Sequence, residues 1–311
     1  MSLLPRLQGQ PYARRILEAG FRAGRSASAY LFYGPPGCGK KTAAEDFALA
    51  LLGDDSGRLL ASGNHPDIRS YSPAGATFKV EQVREMLKEA SLRPVYGSKR
   101  VFILDRVEAM NDSAANALLK GLEEPSPGFT WILVTTQRSK ILPTIASRCQ
   151  AVRFHPLDEA TLRQVLEKEL KTDPTRARDL AALSGGSVKQ ALWLDSEDGK
   201  GTLAQAEAFL KTLGTGTLLE RLDWAEGSQG ERRSLEPLLS LIWVLLRERW
   251  AIAKKLPAEL RLLSKAPEHG GSLAPERLEK LMLAVAGAQA ALAKNANVAL
   301  TLDSLVLSTE S

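Results

Sequence analysis

One short stretch constrains this chain more than any other: Gly34-Pro-Pro-Gly-Cys-Gly-Lys-Lys-Thr42. It follows an apolar run, Ala29–Tyr33, and precedes a stretch of helical character, Lys41–Leu52. A strand that turns through a glycine-rich loop into a helix aims successive backbone N–H groups and a helix N-terminus at one spot, which suits a phosphate. Glycines permit the tight wrap that a side chain would obstruct. In this pattern Gly34, Gly37 and Gly39 shape the loop, and Lys40 reaches the β and γ oxygens. The first part of the chain is thereby expected to be α/β.

The surrounding pattern agrees. Ile68–Ser72, Arg100–Leu104, Thr130–Thr135 and Gln150–Phe154 read as further strands, and the middle two are almost continuously apolar, as buried parallel strands must be. Val80–Ser91 and Asp112–Glu124 read as helices between them. The expectation is a doubly wound, five-stranded parallel sheet. From His155-Pro-Leu157 onward the strand pattern stops. Residues 158–194 predict two or three short helices, with Asp158 and Asp173-Pro174 as starts and Gly185-Gly186 as a break. Leu235–Leu256 and Val298–Leu307 carry the helical spacing to the end. The expected division is an α/β domain over 1–157, a small helical lid over 158–203 and an all-α domain over 204–311.

Composition narrows the function classes. The chain of 311 residues is 44% hydrophobic and 25% charged, ordinary globular values. It has no apolar run long enough to span a membrane and no signal-peptide pattern at its start, so a soluble, cytoplasmic protein is expected. Two cysteines, Cys38 and Cys149, exclude a disulfide framework and a four-cysteine zinc site within one chain. Residues 1–157 hold 21 Lys and Arg against 14 Asp and Glu, whereas 158–311 hold 20 against 22. The overall charge of +5 therefore belongs to the first part, which fits either a solvated surface or phosphate partners.

The phosphate loop departs from its own pattern. Ser or Thr should follow the lysine to ligate Mg²⁺, but Lys41 stands there, and a cation repels a metal. Thr42 is one position late and faces elsewhere on the helix. Asp105 ends an apolar strand, as an acid placed beside Mg²⁺ would, yet Arg106 occupies the next position, where hydrolysing relatives carry a glutamate. The nearest acid is Glu108. ATP, ADP or phosphate can still bind through Lys40 and the loop, but none is required on this reading. Hydrolysis by this chain is expected to be weak, because phosphoryl transfer depends on placed charge.

Four segments then carry a resemblance: Ala29-Tyr-Leu-Phe-Tyr-Gly-Pro-Pro-Gly37, Gly63-Asn-His-Pro-Asp67, Asn116-Ala-Leu-Leu-Lys-Gly-Leu-Glu-Glu-Pro125 and Ile141-Leu-Pro-Thr-Ile-Ala-Ser-Arg-Cys149. Together they resemble the bacterial clamp-loader AAA+ subunits of DNA polymerase III, most of all the delta-prime type. The likeness covers about residues 5–195 by motif. It implies an AAA+ core with a helical lid and a collar in which five subunits meet, and a stator that helps place the sliding clamp on primed DNA. Within Ser147-Arg148-Cys149, Arg148 would project into a neighbour's ATP site. Thr135 or Thr136 would stand in the sensor 1 region, and Lys189 where relatives carry the sensor 2 arginine. The implied partners are the gamma/tau and delta subunits, with the clamp and primer–template DNA met through the complex, and no membrane. Many relatives carry four zinc-binding cysteines after the loop helix; the matching Gly53–Ser62 stretch has none, so zinc is not expected. Lys79, Arg84, Lys88, Arg93, Lys99 and Arg100 could track a DNA backbone, although the interleaved Glu81, Glu85 and Glu89 fit a solvated helix face better. The competing readings are an active gamma/tau-type ATPase, against which Lys41, Arg106 and a length without extra domains weigh, and an AAA+ scaffold outside replication.

Overall fold

The computed structural model describes residues 3–53, 65–95, 98–228, 232–257, 261, 263 and 273–309. Five parallel strands form one sheet: β1 (Ala29–Tyr33), β2 (Ile68–Tyr71), β3 (Arg100–Asp105), β4 (Phe129–Thr135) and β5 (Gln150–Arg153). Their order is β2-β3-β4-β1-β5, so β1 lies inside the sheet with β4 and β5 as neighbours. Parallel neighbours require crossovers, and helices supply them on both faces. The connecting helices are α2 (Lys40–Leu52), α3 (Val80–Ala90), α4 (Asp112–Glu123) and the short α5 (Pro143–Ala146), and α1 (Pro11–Arg22), which precedes β1, packs beside α2.

Alternation along the strands divides the core. Tyr30, Phe32, Val101, Ile103, Ile132 and Val134 face α1 and α2, where Phe47 and Leu51 meet them. Leu31, Phe102, Leu104, Trp131 and Leu133 face the other way, against Met86, Leu118 and Leu122 of α3 and α4. Phe102 lies edge-on to both Phe129 and Trp131, a favoured aromatic arrangement. Caps set the helix starts: Asn111 accepts from the Ala114 amide at 2.9 Å to open α4.

The chain divides into two compact units, one of residues 1–162 with 186–189, the other of 163–185 with 190 onward. The helix α6 (Glu159–Leu170) is followed by α7 (Pro174–Leu183) and α8 (Val188–Asp195). Asp158 accepts from the Thr161 amide, and Asp173 accepts from the Thr175 and Arg176 amides ahead of a first-turn proline. Both expected helix starts are in place. In the second unit, α9 (Glu197–Thr215), α10 (Leu218–Gly227), α11 (Arg232–Ala253), α12 (Pro275–Ala293) and α13 (Val298–Leu307) pack on one another. Thr217 and Glu220 form a reciprocal cap on α10. The buried Arg221 donates to Thr309 Oγ1 at 2.8 Å and Gly216 O at 2.9 Å, tying the chain's end to α10. Among the described residues, no helix is long and apolar enough to cross a membrane.

Candidate nucleotide loop and arginine edge

The phosphate loop leaves the C-terminal end of β1 and enters α2 at Lys40. Gly37 and Gly39 take positive φ values of 74° and 89°, which glycine adopts without the penalty of a Cβ. A Cβ on Gly34 would strike the carbonyl of Phe154, and one on Gly37 would strike Ser187 Oγ. The loop is thus pressed from two sides. Val188 N donates to Gly37 O at 3.0 Å, so the segment 186–189 lies on the loop. It brings Lys189 there, with its Cβ 3.1 Å from where a Gly37 Cβ would stand.

Lys40 is only 6% exposed. Its Nζ donates to Gly34 O at 2.8 Å and Pro35 O at 2.5 Å, and lies 3.7 Å from Cys38 Sγ. Burial pulls this ammonium below its usual range, against the opposing pull of the nearby Cys38, Asp105 and Glu108. Cys38 is buried, and its thiol donates to Pro35 O at 2.9 Å; burial pushes its pKa up. Such a thiol is poorly reactive. Lys41 is exposed and Thr42 half-buried at the start of α2.

At the end of β3, Asp105 Oδ1 accepts from the Arg106 amide at 3.0 Å, and Arg106 takes a left-handed φ of 58°. That conformation is unusual for a residue with a side chain. Glu108 lies on the next turn and reaches the residue just past β4: its Oε1 accepts from Thr136 Oγ1 at 2.6 Å and from the Thr136 amide at 3.1 Å. Burial would raise its pKa, but the hydrogen bonds from Thr136 and Thr135 outweigh that and hold it below the ordinary glutamate value. A carboxylate held this way is a weak base. The loop lysine, Asp105, Glu108 and the threonine pair therefore belong to one neighbourhood.

One contributor escaped the sequence reading. Gln10 is buried, donates to Cys38 O at 3.1 Å and His155 O at 2.6 Å, and accepts from the His155 amide at 3.0 Å. It splices the loop to the chain just beyond β5. Its position ahead of a Pro at a helix start was the only available sign. Glu108 was read as the acid nearest Asp105, but its tie to Thr136, just past β4, carried no local sign.

Arg148 lies apart from that loop, in the turn between α5 and β5. Its side chain is 37% exposed. Nη2 pairs with Glu123 Oε1 at 2.7 Å, and Nη1 donates to Thr144 O at 3.0 Å. Ser147 Oγ donates to Thr144 O at 3.1 Å, closing the same turn. Burial pushes the Cys149 thiol up to about 12, so it packs rather than reacts.

The basic cluster needs one correction. Arg100 is 8% exposed; it pairs with the buried Asp67 at 3.4 Å and donates to Glu89 O at 2.9 Å. An arginine so engaged belongs to the interior and cannot track DNA. Lys79, Arg84, Lys88 and Arg93 are exposed. The stretch matching the family's zinc module falls, apart from Gly53, on residues 54–62, outside the described residues.

The family described as "DNA polymerase III, delta subunit" matches residues 9–158. The chain is 38% identical over 210 residues to the DNA polymerase III delta-prime subunit of Pseudomonas aeruginosa, covering 63% of this chain and 64% of that one. The chain is thus similar to subunits of the DNA polymerase III clamp loader, the delta-prime type among them. The delta-prime subunit of Bacillus subtilis is 32% identical over 200 residues, covering 61% of this chain and 60% of that one. The tau subunit of Escherichia coli is 30% identical over 245 residues, 72% of this chain and 38% of tau. The match thus spans just under two thirds of the length of its delta-prime relatives. Among solved structures, a DNA polymerase III gamma-subunit-related protein from Thermotoga maritima covers 94% of this chain and 98% of its own, at 18% identity and a TM-score of 0.47. The clamp-loader resemblance holds, and so does the expected five-stranded parallel α/β core followed by helical parts.

Proposed function

We propose that this chain is a delta-prime-type stator of the DNA polymerase III clamp loader, which lends Arg148 to the ATP site of a neighbouring tau or gamma subunit. It would help place the sliding clamp on primed DNA while hydrolysing little or no ATP itself. The observation that carries this reading is a contrast of two arginines. Arg106 stands where a water-polarising carboxylate is needed, and Arg148 stands at the surface with a guanidinium that another subunit can reach. A guanidinium brought to a developing γ-phosphate charge from a neighbouring chain accelerates hydrolysis by about 10³–10⁵. In its own site, Lys41 repels Mg²⁺ and Glu108 is bound to Thr136.

The helices of residues 204–309 would form the collar that joins the subunits, with gamma/tau and delta as partners. ATP, ADP or phosphate would bind, if at all, through Lys40, the loop amides and Lys189, without a structural metal. A second reading, an active tau-like ATPase, rests on the 30% identity to tau and on an unchanged Lys40 and Asp105. One assay separates the two. The purified chain is expected to turn over ATP at background, whereas Arg148→Ala should slow ATP hydrolysis by the complex reconstituted with tau or gamma and delta. Robust Mg²⁺-dependent turnover by the chain alone would sink the stator reading.

A further inference from the structure

The contact that holds Arg148 has a role that a bare surface arginine would lack. Glu123 is the last residue of α4, and its carboxylate meets Nη2 at 2.7 Å; Thr144 O, on α5, takes Nη1 at 3.0 Å. Two separate elements therefore hold one guanidinium. Two holds at different nitrogens fix the plane of the group as well as its position, because the guanidinium is flat and rigid. A guanidinium has five N–H donors, and these two bonds leave the others for an incoming oxyanion. The pair is also partly exposed, at 37% for Arg148 and 48% for Glu123, so it orients without contributing much to the fold.

We propose that Glu123 is a positioning residue for Arg148, holding the guanidinium in the orientation a neighbouring subunit's phosphate meets. This rests on the arginine being supplied to that neighbour. Held this way, the long side chain has already lost its rotamer freedom before the phosphate arrives, and less order is imposed at the reacting step. The effect falls on the rate of hydrolysis and not on nucleotide affinity, since the Glu123 carboxylate pairs with Arg148 and, being an anion, would not itself bind a phosphate.

The test uses the reconstituted complex with four versions of this chain: wild type, Glu123→Ala, Arg148→Ala and the double variant. Glu123→Ala is expected to lower kcat for ATP hydrolysis about 3- to 10-fold with KM for ATP within twofold, and Glu123→Gln, which keeps an acceptor, to recover part of the loss. In the Arg148→Ala background, removing Glu123 should change nothing further, because the carboxylate then has no guanidinium to hold. Unchanged kcat in Glu123→Ala, a faster rate, or an equal further loss without Arg148 would each overturn the inference while leaving the lent arginine standing. If Arg148→Ala alone leaves hydrolysis unchanged, the lent arginine fails and Glu123 fails with it. Co-elution of each variant with the other subunits separates these outcomes from loss of assembly.

Discussion

The nucleotide loop and the Ser147-Arg148-Cys149 turn both carry the cations that phosphate chemistry uses, yet they present them in opposite ways. Lys40 is buried, and its ammonium is spent on the carbonyls of Gly34 and Pro35, within its own loop. Arg148 is partly exposed, and two contacts hold it without enclosing it. The acids follow suit: Glu108 is tied inward to Thr136, while Glu123 stands beside the surface arginine. The lesson is that the presence of a motif lysine or arginine says little until its hydrogen-bond partners are counted. A cation satisfied by its own backbone stabilises a loop; one held at the edge is available to another molecule.

The contrast can be broken at several points. The largest effect should come from Arg148→Ala, a loss of at least about 100-fold in the hydrolysis rate of the reconstituted complex, read by steady-state phosphate release. A change below threefold would erase the distinction between the two cations. Next is Lys40→Ala, which should destabilise the isolated chain by about 1–3 kcal/mol in a denaturant titration, because two part-buried carbonyls lose their donor. No loss would mean that Lys40 does not serve its own loop.

Gly37→Ala should cost about 1–2 kcal/mol by the same measurement, since an L-residue is forced to φ 74° and its Cβ meets Ser187. Adding Ser187→Gly should relieve the collision but leave the backbone penalty. The smallest effect, about 1 kcal/mol at neutral pH, belongs to Glu108→Gln. Its folded pKa lies below the unfolded value of 4.5, so its stabilisation is present above that value and fades as pH falls through the folded one. Wild type and variant should accordingly differ at pH 7 and converge in acid; parallel curves across the whole range would refute the tie to Thr136.

Much of this architecture is legible in the residues themselves. The run Ala29–Tyr33 is the strand as observed, and each of the others differs by one residue, because buried parallel strands are written as continuous apolar segments. Val298–Leu307 is likewise the final helix as read, bounded by the Asn297 cap, which accepts from the Leu300 amide. The α1 helix was not foreseen, although Pro11 opens it and Arg14, Arg15 and Glu18 lie opposite the buried Ala13 and Leu17, an amphipathic pattern. What local pattern cannot carry is pairing across the sheet. Nothing near Glu108 announces Thr136, twenty-eight residues on, and nothing near Arg148 announces Glu123. Arg100 misled for the same reason, since Asp67, which buries it, belongs to the residue just before β2.

The four residues 186–189 belong with the first unit, although the chain on either side of them belongs to the second. The polypeptide consequently passes between units three times, and no single break in it yields two complete pieces. A fragment ending at Leu162 would lack Val188, whose amide meets Gly37 O, and would leave the nucleotide loop uncovered on that side. Anyone wishing to transplant the α/β core into another chain must carry it through Lys189, taking α7 along as unavoidable cargo.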